Sequence, residues 1–302
     1  MSGSEILDVA IGLIFVYLLL GLLCSAFNEW IARIFALRSR TLEAGIKNLL
    51  KGQCPDGREL AEVFYNHPLI KSLSKEGSKP SYIPNSAFAL ALMDIFTLAK
   101  ETGSEVIEGI KNTIGQFPET CDDVKKSLLL LISSTENDIN KIRENIEEWF
   151  DNSMARVSGW YKRKTQTITL IVAIVVSVGL NVDTFSIADH LYRDDSARAL
   201  AITAAQETIQ KPPAGDSLSL SSRIESTQVE LEKLKLPVGW SASVQFPHNL
   251  GEFVNKILGW LFTAFALSLG APFWFDVLKK LVNLRSTGTV PDKVTEKKPE
   301  KS

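Results

Sequence analysis

The sequence predicts an all-α membrane protein: a three-helix transmembrane bundle bearing a cytoplasmic helical domain, with one long helix continuous through the second span. Three observations lead there. Residues 9–28, 165–182 and 257–275 contain no Asp, Glu, Lys, Arg or His, and each approaches the roughly 20 residues that cross about 30 Å of hydrocarbon. Residues 170–176 and 258–269 are apolar all round rather than along one stripe, the pattern of a helix surrounded by apolar material. Between the first two spans, apolar residues recur at three- and four-residue steps, the period of helices that bury one face.

Residues 1–28 are read as an outer N-terminus and the first transmembrane helix. A cleaved signal peptide is the competing reading, but MSGSEILD has no Lys or Arg and carries two acids, the reverse of a signal n-region. Residues 29–164 form the cytoplasmic helical domain. Thr41 precedes the periodic run Leu42, Ile46, Leu49, Leu50; GQCPDG makes a turn, and a helix follows through Leu60, Val63 and Phe64. After KPSYIPNS, Asn85 or Ser86 caps a helix carrying Phe88, Leu90, Leu92 and Ile95, since a short polar side chain satisfies free amides at a helix start. A further helix is expected over 105–114, stopped by Gly115 and Pro118.

From residue 122 onward Ile139, Ile142, Ile146, Trp149, Phe150, Met154, Val157, Trp160 and Tyr161 mark one face, with no Gly or Pro before Gly159. The expectation is an unbroken rod from about residue 135 to beyond 188. Its stripe either pairs with a second copy as a coiled coil or covers the shorter helices of its own domain. Asn145 and Ser153 dilute the seam, which favours the second. Residues 165–182 are the second transmembrane helix. Residues 183–256 are an exported segment, beginning as a continuation of that rod through Ile187, Leu191 and Leu200, interrupted by KPPAGDSLSLSS, and resuming as a helix over 226–236 that Pro237 ends. Residues 237–251 read as irregular chain against the outer interface. Residues 257–275 are the third transmembrane helix, which Pro272 kinks or ends. Residues 276–302 are a cytoplasmic basic tail, disordered at its KPE-rich end.

Flanking charges orient the spans, because basic flanks resist translocation. Arg33, Arg38 and Arg40 follow the first span; Arg156, Lys162, Arg163 and Lys164 precede the second; Lys279, Lys280 and Arg285 follow the third. The expected topology is therefore N-terminus outside and C-terminus cytoplasmic. The cysteines fit: Cys24 falls in the first span and Cys54 and Cys121 in the cytoplasmic domain, leaving none in the exported segment.

Each span carries a stripe that lets helices approach: Gly21, Ser25 and Asn28; Thr169, Ala173, Ser177 and Asn181; Gly259, Thr263, Ala266 and Gly270. Asn28, Glu29, Gln166 and Asp276 form a candidate polar cluster at the inner interface that gates or binds something. The plainer alternative is interfacial salt bridges with Arg33, Arg163 or Lys279. The span centres hold no ionisable group, which argues against an ion pump.

No catalytic, cofactor-binding or metal-binding residue is predicted. A phosphate-cradling loop ending in Gly-Lys-Ser/Thr is missing, as are Gly-x-Ser-x-Gly and His-Glu-x-x-His. The expected topology separates His67 from His190 and His248, and Cys54 lacks a basic neighbour. A formal net charge of −2 over 302 residues argues against nucleic acid as a partner, since phosphate binding needs clustered cations.

HPLI at 67–70, PSYIP at 80–84, WFDNSMARVSGWYKRKTQ at 149–166, LNVDTFSIA at 180–188, LPVGW at 236–240 and GAPFWFDVLKKLVNLR at 270–285 resemble a family of uncharacterised bacterial three-span inner-membrane proteins. The resemblance implies the same layout in a bacterial inner membrane and brings no activity or substrate. The functional expectation is a non-enzymatic integral membrane protein, a scaffold whose cytoplasmic domain docks an unknown protein partner and is linked to the exported segment. The alternatives are a homo-oligomeric channel or transporter subunit and a membrane enzyme of unrecognised type.

Overall fold

Helix-forming periodicity gives helices throughout: among the described residues of the computed structural model no strand forms, only an isolated bridge between Gln53 and Glu59. Those residues are 3–54, 57–96, 109, 111–112, 114–116, 122–133, 138–211, 220–240 and 249–287. The chain makes two compact units, one of residues Ala32–Lys164 and the other of the residues up to Ile31 with those from Thr165 onward.

In the Ala32–Lys164 unit, α2 (Leu37–Leu49), α3 (Leu60–Asn66), α4 (Pro68–Lys71), α5 (Asn85–Phe96) and α6 (Asp122–Ser133) pack with the first part of α7 (Ile139–Gly179). Their shared core includes Ile46, Leu60, Phe64, Phe88, Leu92, Ile142, Ile146 and Phe150. Phe88 stacks on Phe150 with ring centroids 4.3 Å apart and tilts against Phe64 at 5.0 Å. The apolar stripe of α7 thus covers the shorter helices of its own unit. Asp138 starts α7, its carboxylate accepting from the Asn140 amide at 2.9 Å. Pro68 opens α4, where a missing amide costs nothing, and His67 Nδ1 accepts from the Leu69 amide at 3.3 Å. The other ring nitrogen, Nε2, reaches Asp94 Oδ2 at 2.9 Å, so one imidazole both begins α4 and ties it to α5. Gly45 of α2 is required by close approach: a methyl there would meet Val157 Cγ2 at 2.5 Å. Most of the helix expected over 105–114 lies outside the described residues, as do Pro118, Cys121 and His248.

In the other unit, α1 (Gly3–Ile34), as far as Ile31, packs against the last part of α7 and α8 (Thr184–Arg193), α9 (Asp195–Gln210), α10 (Leu220–Lys233), α11 (Leu250–Ser268) and α12 (Ala271–Thr287). Ile11, Phe15, Val16, Leu18 and Leu20 are buried. Gly12 faces α8 and α9 so closely that a methyl would lie 3.1 Å from Leu191 and 3.2 Å from Ala201.

Two expected continuities are corrected here. The rod does not run beyond 188: α7 ends at Gly179, the chain turns through 180–183, and α8 leaves at 53° to α7. A second break follows at Asp194. Asp183 and Asp194 each cap the next helix, accepting from amides two and three residues on, and Asn181 adopts a left-handed φ of 48°. Nor does one unbroken helix occupy 257–275, where a kink or end was expected at Pro272. It stops at Ser268, Gly270 takes φ 84°, and Pro272 stands near the start of α12, where proline is tolerated. Trp274 Nε1 donates to Ala266 O at 2.7 Å and closes the corner. From there α12 runs back along α1. Gly21 faces the Ala271 backbone, the Tyr17 and Trp274 ring centroids are 4.8 Å apart, and Arg285 Nε lies 2.7 Å from Asp8 Oδ1. The helix expected over 226–236 is α10, earlier at both ends.

Residues Glu5–Ile34 and Leu250–Ser268 are long and apolar enough to cross a membrane, and α7 with α8 makes a third such element if the bent pair is one span. Along α11 the exposed side chains include Leu250, Phe253, Leu258, Leu261, Phe262 and Phe265. On α7 Leu170, Ile171, Ile174 and Val175 are likewise exposed. Apolar faces this continuous are unusual against water.

Candidate functional site

The break between α7 and α8 gathers the densest buried polar set in its unit. It follows from local chemistry. Without a Gly or Pro at 180–183 the chain still leaves the helix, because Asp183 offers its carboxylate to the amides of Phe185 (2.9 Å) and Ser186 (3.4 Å) and accepts the Ser186 hydroxyl at 3.0 Å. A short acidic side chain there competes with the helical ladder and wins when the ladder's end is satisfied elsewhere.

Satisfaction comes from chain far away in sequence. Trp240 Nε1 donates to the Val178 and Gly179 carbonyls at 3.0 and 3.1 Å, and the Gly239 amide donates to Leu180 O at 2.8 Å. Asn181 Nδ2 returns a bond to Gly239 O at 3.0 Å while its Oδ1 accepts from Trp260 Nε1 at 3.2 Å. Ser177 donates to Trp260 O at 2.9 Å. Residues 237–240, part of the stretch expected as irregular chain at the outer interface, are the plug that finishes α7.

Beneath it runs a chain of hydroxyls. Thr263 Oγ1 donates to Gly259 O at 2.8 Å, as a threonine does one turn back along its helix. Its single proton is then used, so it accepts from the Thr184 amide at 3.1 Å and from the Thr184 hydroxyl at 2.8 Å. Thr184 in turn accepts from Tyr17 OH at 2.9 Å. Tyr17, Thr184 and Thr263 are each less than one-twentieth exposed, so α1, α8 and α11 meet through a polar path with every proton assigned.

Chemically this is a joint. Its hydroxyls and amides are paired with one another, and its single carboxylate is committed to capping. Among the described residues no group of three or more His, Cys, Asp or Glu is placed to hold a metal ion.

The four residues singled out from the sequence are not gathered by the structure. Asn28 is half-buried, donating to Thr169 Oγ1 at 2.9 Å with its own Oδ1 unpartnered. Glu29, Gln166 and Asp276 are exposed. Asp276 belongs to α12, whose register against α1 runs from Gly21 at Ala271 to Asp8 at Arg285, so it stands along the opposite half of α1 from Asn28. The small-residue stripes do face inward: Ala173, Ser177, Asn181, Gly259, Thr263 and Ala266 are buried. Sequence reasoning missed Tyr17, Thr184 and Trp240. The available signal was Asp-Thr-Phe-Ser at 183–186, a helix-start pattern lying where a continuous helix was expected.

No protein-family model, no curated protein and no solved structure matches the chain.

Proposed function

We propose that this is a non-enzymatic integral membrane protein, a scaffold whose helical domain of residues 32–164 docks a protein partner in the cytoplasm and is linked to the remaining segments by α7. The observation that carries this reading is α7 itself. It is one helix of 41 residues whose first part closes the core of one unit and whose last turns enter the polar joint of the other. A helix that contributes to both cores suits transmission or tethering between them.

The bilayer is the first proposed partner, met by the exposed apolar faces of α11 and of α7 beyond Thr165. The proposed membrane is a bacterial inner membrane, as the motif resemblance implies. Arg33, Arg38, Arg40, Arg156, Lys162, Arg163 and Lys164 support residues 32–164 on the cytoplasmic side and the N-terminus outside. For the end of α12 the ion pair of Arg285 with Asp8 supports the side of the N-terminus, in place of the cytoplasmic side suggested by loop charges.

Two experiments test this. Reporter fusions at Gly77 and after Thr287 should report a cytoplasmic and an exported position, respectively; a cytoplasmic signal after Thr287 overturns the α12 placement. A photo-crosslinking side chain at exposed Tyr82 or Leu130, in whole cells, should capture one second protein reproducibly. Adducts with its own chain alone would favour the homo-oligomeric reading, and no adduct at either position would remove the docking role.

A further inference from the structure

Both passages of the chain out of the Ala32–Lys164 unit are basic and free of acids. Residues 32–42 carry Arg33, Arg38 and Arg40, residues 152–164 carry Arg156, Lys162, Arg163 and Lys164, and neither stretch contains Asp or Glu. Each adjoins an apolar helix, the Glu5–Ile34 part of α1 in one case and α7 beyond Thr165 in the other. All of these cations are exposed. Arg33, Arg38, Arg40, Arg156, Lys162 and Lys164 make no ion pair among the described residues. The bordering acids are used elsewhere: Glu43 holds Lys47 and Lys79 at 3.0 and 2.7 Å, and Asp151 accepts from Asn85 Nδ2 at 2.8 Å. Glu29, exposed one turn before Arg33 on α1, offsets one charge of the set.

Between α1 and α2 the chain turns through Phe35 and Ala36. Ala36 takes a left-handed φ of 46° and ψ of 43°, a conformation that a residue with a Cβ seldom adopts. Its amide donates to Arg33 O at 3.2 Å and its carbonyl accepts from the Arg40 amide at 3.0 Å, so the corner has a defined course. At its apex Ile34 and Phe35 are 55% and 49% exposed, whereas Leu37, the next apolar residue of any size, is buried. Gly45 against Val157 seats α2 on the part of α7 that carries Arg156, and Trp160, one turn past Val157, is exposed. Apolar side chains bounded by cations suit a headgroup region, where the apolar groups reach the acyl boundary and the charges stay among phosphates.

We propose that the α1–α2 corner, with the basic end of α7 in the same unit, is a docking surface for anionic lipid headgroups. Ile34 and Phe35 enter the interface, and Arg33, Arg38, Arg40, Lys162 and Lys164 gather the headgroup phosphates. The inference rests on the membrane reading given above and adds a lipid preference to it. Charge complementarity selects the occupant, since clustered cations beside a membrane span attract anionic lipid and the guanidinium fork matches a phosphate with two parallel bonds. Position in the chain points the same way. Residues directly after an apolar span lie at headgroup level, where lipid is the neighbour always present.

The test uses the full chain reconstituted in vesicles of equal phosphatidylcholine and phosphatidylglycerol, with a photo-crosslinking side chain in place of Phe35 or, in a second variant, Ile34. Irradiation should give lipid adducts in which phosphatidylglycerol exceeds phosphatidylcholine by about fivefold or more, the preference that one basic residue near an anionic surface provides. Raising the salt concentration, or combining Arg33→Gln, Arg38→Gln and Arg40→Gln, should bring that ratio toward one while adducts persist. The same probe at exposed Phe262 of α11 reports on the membrane reading separately. Lipid adducts at Phe262 but at neither corner position overturn the proposal and leave that reading standing, whereas no lipid adduct at any of the three overturns both. Equal capture of the two lipids at the corner, or a preference that neither salt nor the substitutions reduce, also overturns it. So do adducts with protein in place of lipid when the corner variants are irradiated in whole cells.

Discussion

Gly259 of α11 lies directly against Asp183, the residue that caps α8: a methyl group at Gly259 would collide with Asp183 Oδ1. Replacing Gly259 with Ala should push the carboxylate off the Phe185 and Ser186 amides and lower stability by about 2 kcal/mol, combining a lost cap with overpacking. Gly179, which has nothing within 4 Å of where its Cβ would lie, is the control. Gly179→Ala should be neutral or stabilising by up to about 1 kcal/mol. Thermal unfolding of both variants in one detergent decides the matter, and equal melting temperatures would dissociate Asp183 from Gly259.

The hydroxyl path predicts coupling. Tyr17→Phe and Thr263→Val should each cost about 1 kcal/mol, and the double variant should cost less than the sum, since both act through Thr184. Strict additivity in denaturant titrations would mean that the hydroxyls do not form one path.

Arg285 and Asp8 should rescue one another. Reversing either charge places like charges together, whereas Asp8→Arg combined with Arg285→Asp restores an attractive pair. Their side chains are 16% and 36% exposed for Asp8 and Arg285, respectively, so the recovery should be modest, about 1 kcal/mol or less. Double-variant stability no better than either single would argue that α12 does not return along α1.

Glu43 gives a pH signature. Its carboxyl titrates below the usual range in the folded chain because Lys79 and Lys47 hydrogen-bond to it. A depressed folded value contributes stability above the unfolded pKa and loses it as pH falls through the folded one. The stability difference between parent and Glu43→Gln should therefore be present at neutral pH and shrink on acidification through the carboxylate range. A difference independent of pH would assign the Glu43 contribution to packing.

Helical class was readable because its signal is local. Phe88, Leu92, Ile142, Ile146 and Phe150 mark buried faces by spacing alone, and all five enter one core. Buried small residues such as Ser177 and Gly259 were legible as stripes for the same reason. The joint itself was not, since its completing residues come from elsewhere: Trp240 reaches Val178 across 62 positions and Tyr17 reaches Thr184 across 167. The cluster of Asn28, Glu29, Gln166 and Asp276 rested on depth along three straight spans. Once α12 turns back at Gly270, equal depth no longer follows from equal distance along the chain.

By itself, then, the sequence determined that the chain is helical and which segments are long and apolar enough for lipid, because missing charge and three-to-four periodicity belong to contiguous residues. Tertiary structure alone decided where the helices stop and which way they leave. A cap such as Asp183 is worth on the order of 1 kcal/mol, comparable to the hydrogen bonds it replaces, so local preference leaves the break near balance. Partners arriving from residues 239–263 complete the exposed end of α7 and tip it, and the same kind of long-range closure, Asp8 with Arg285, sets the course of α12.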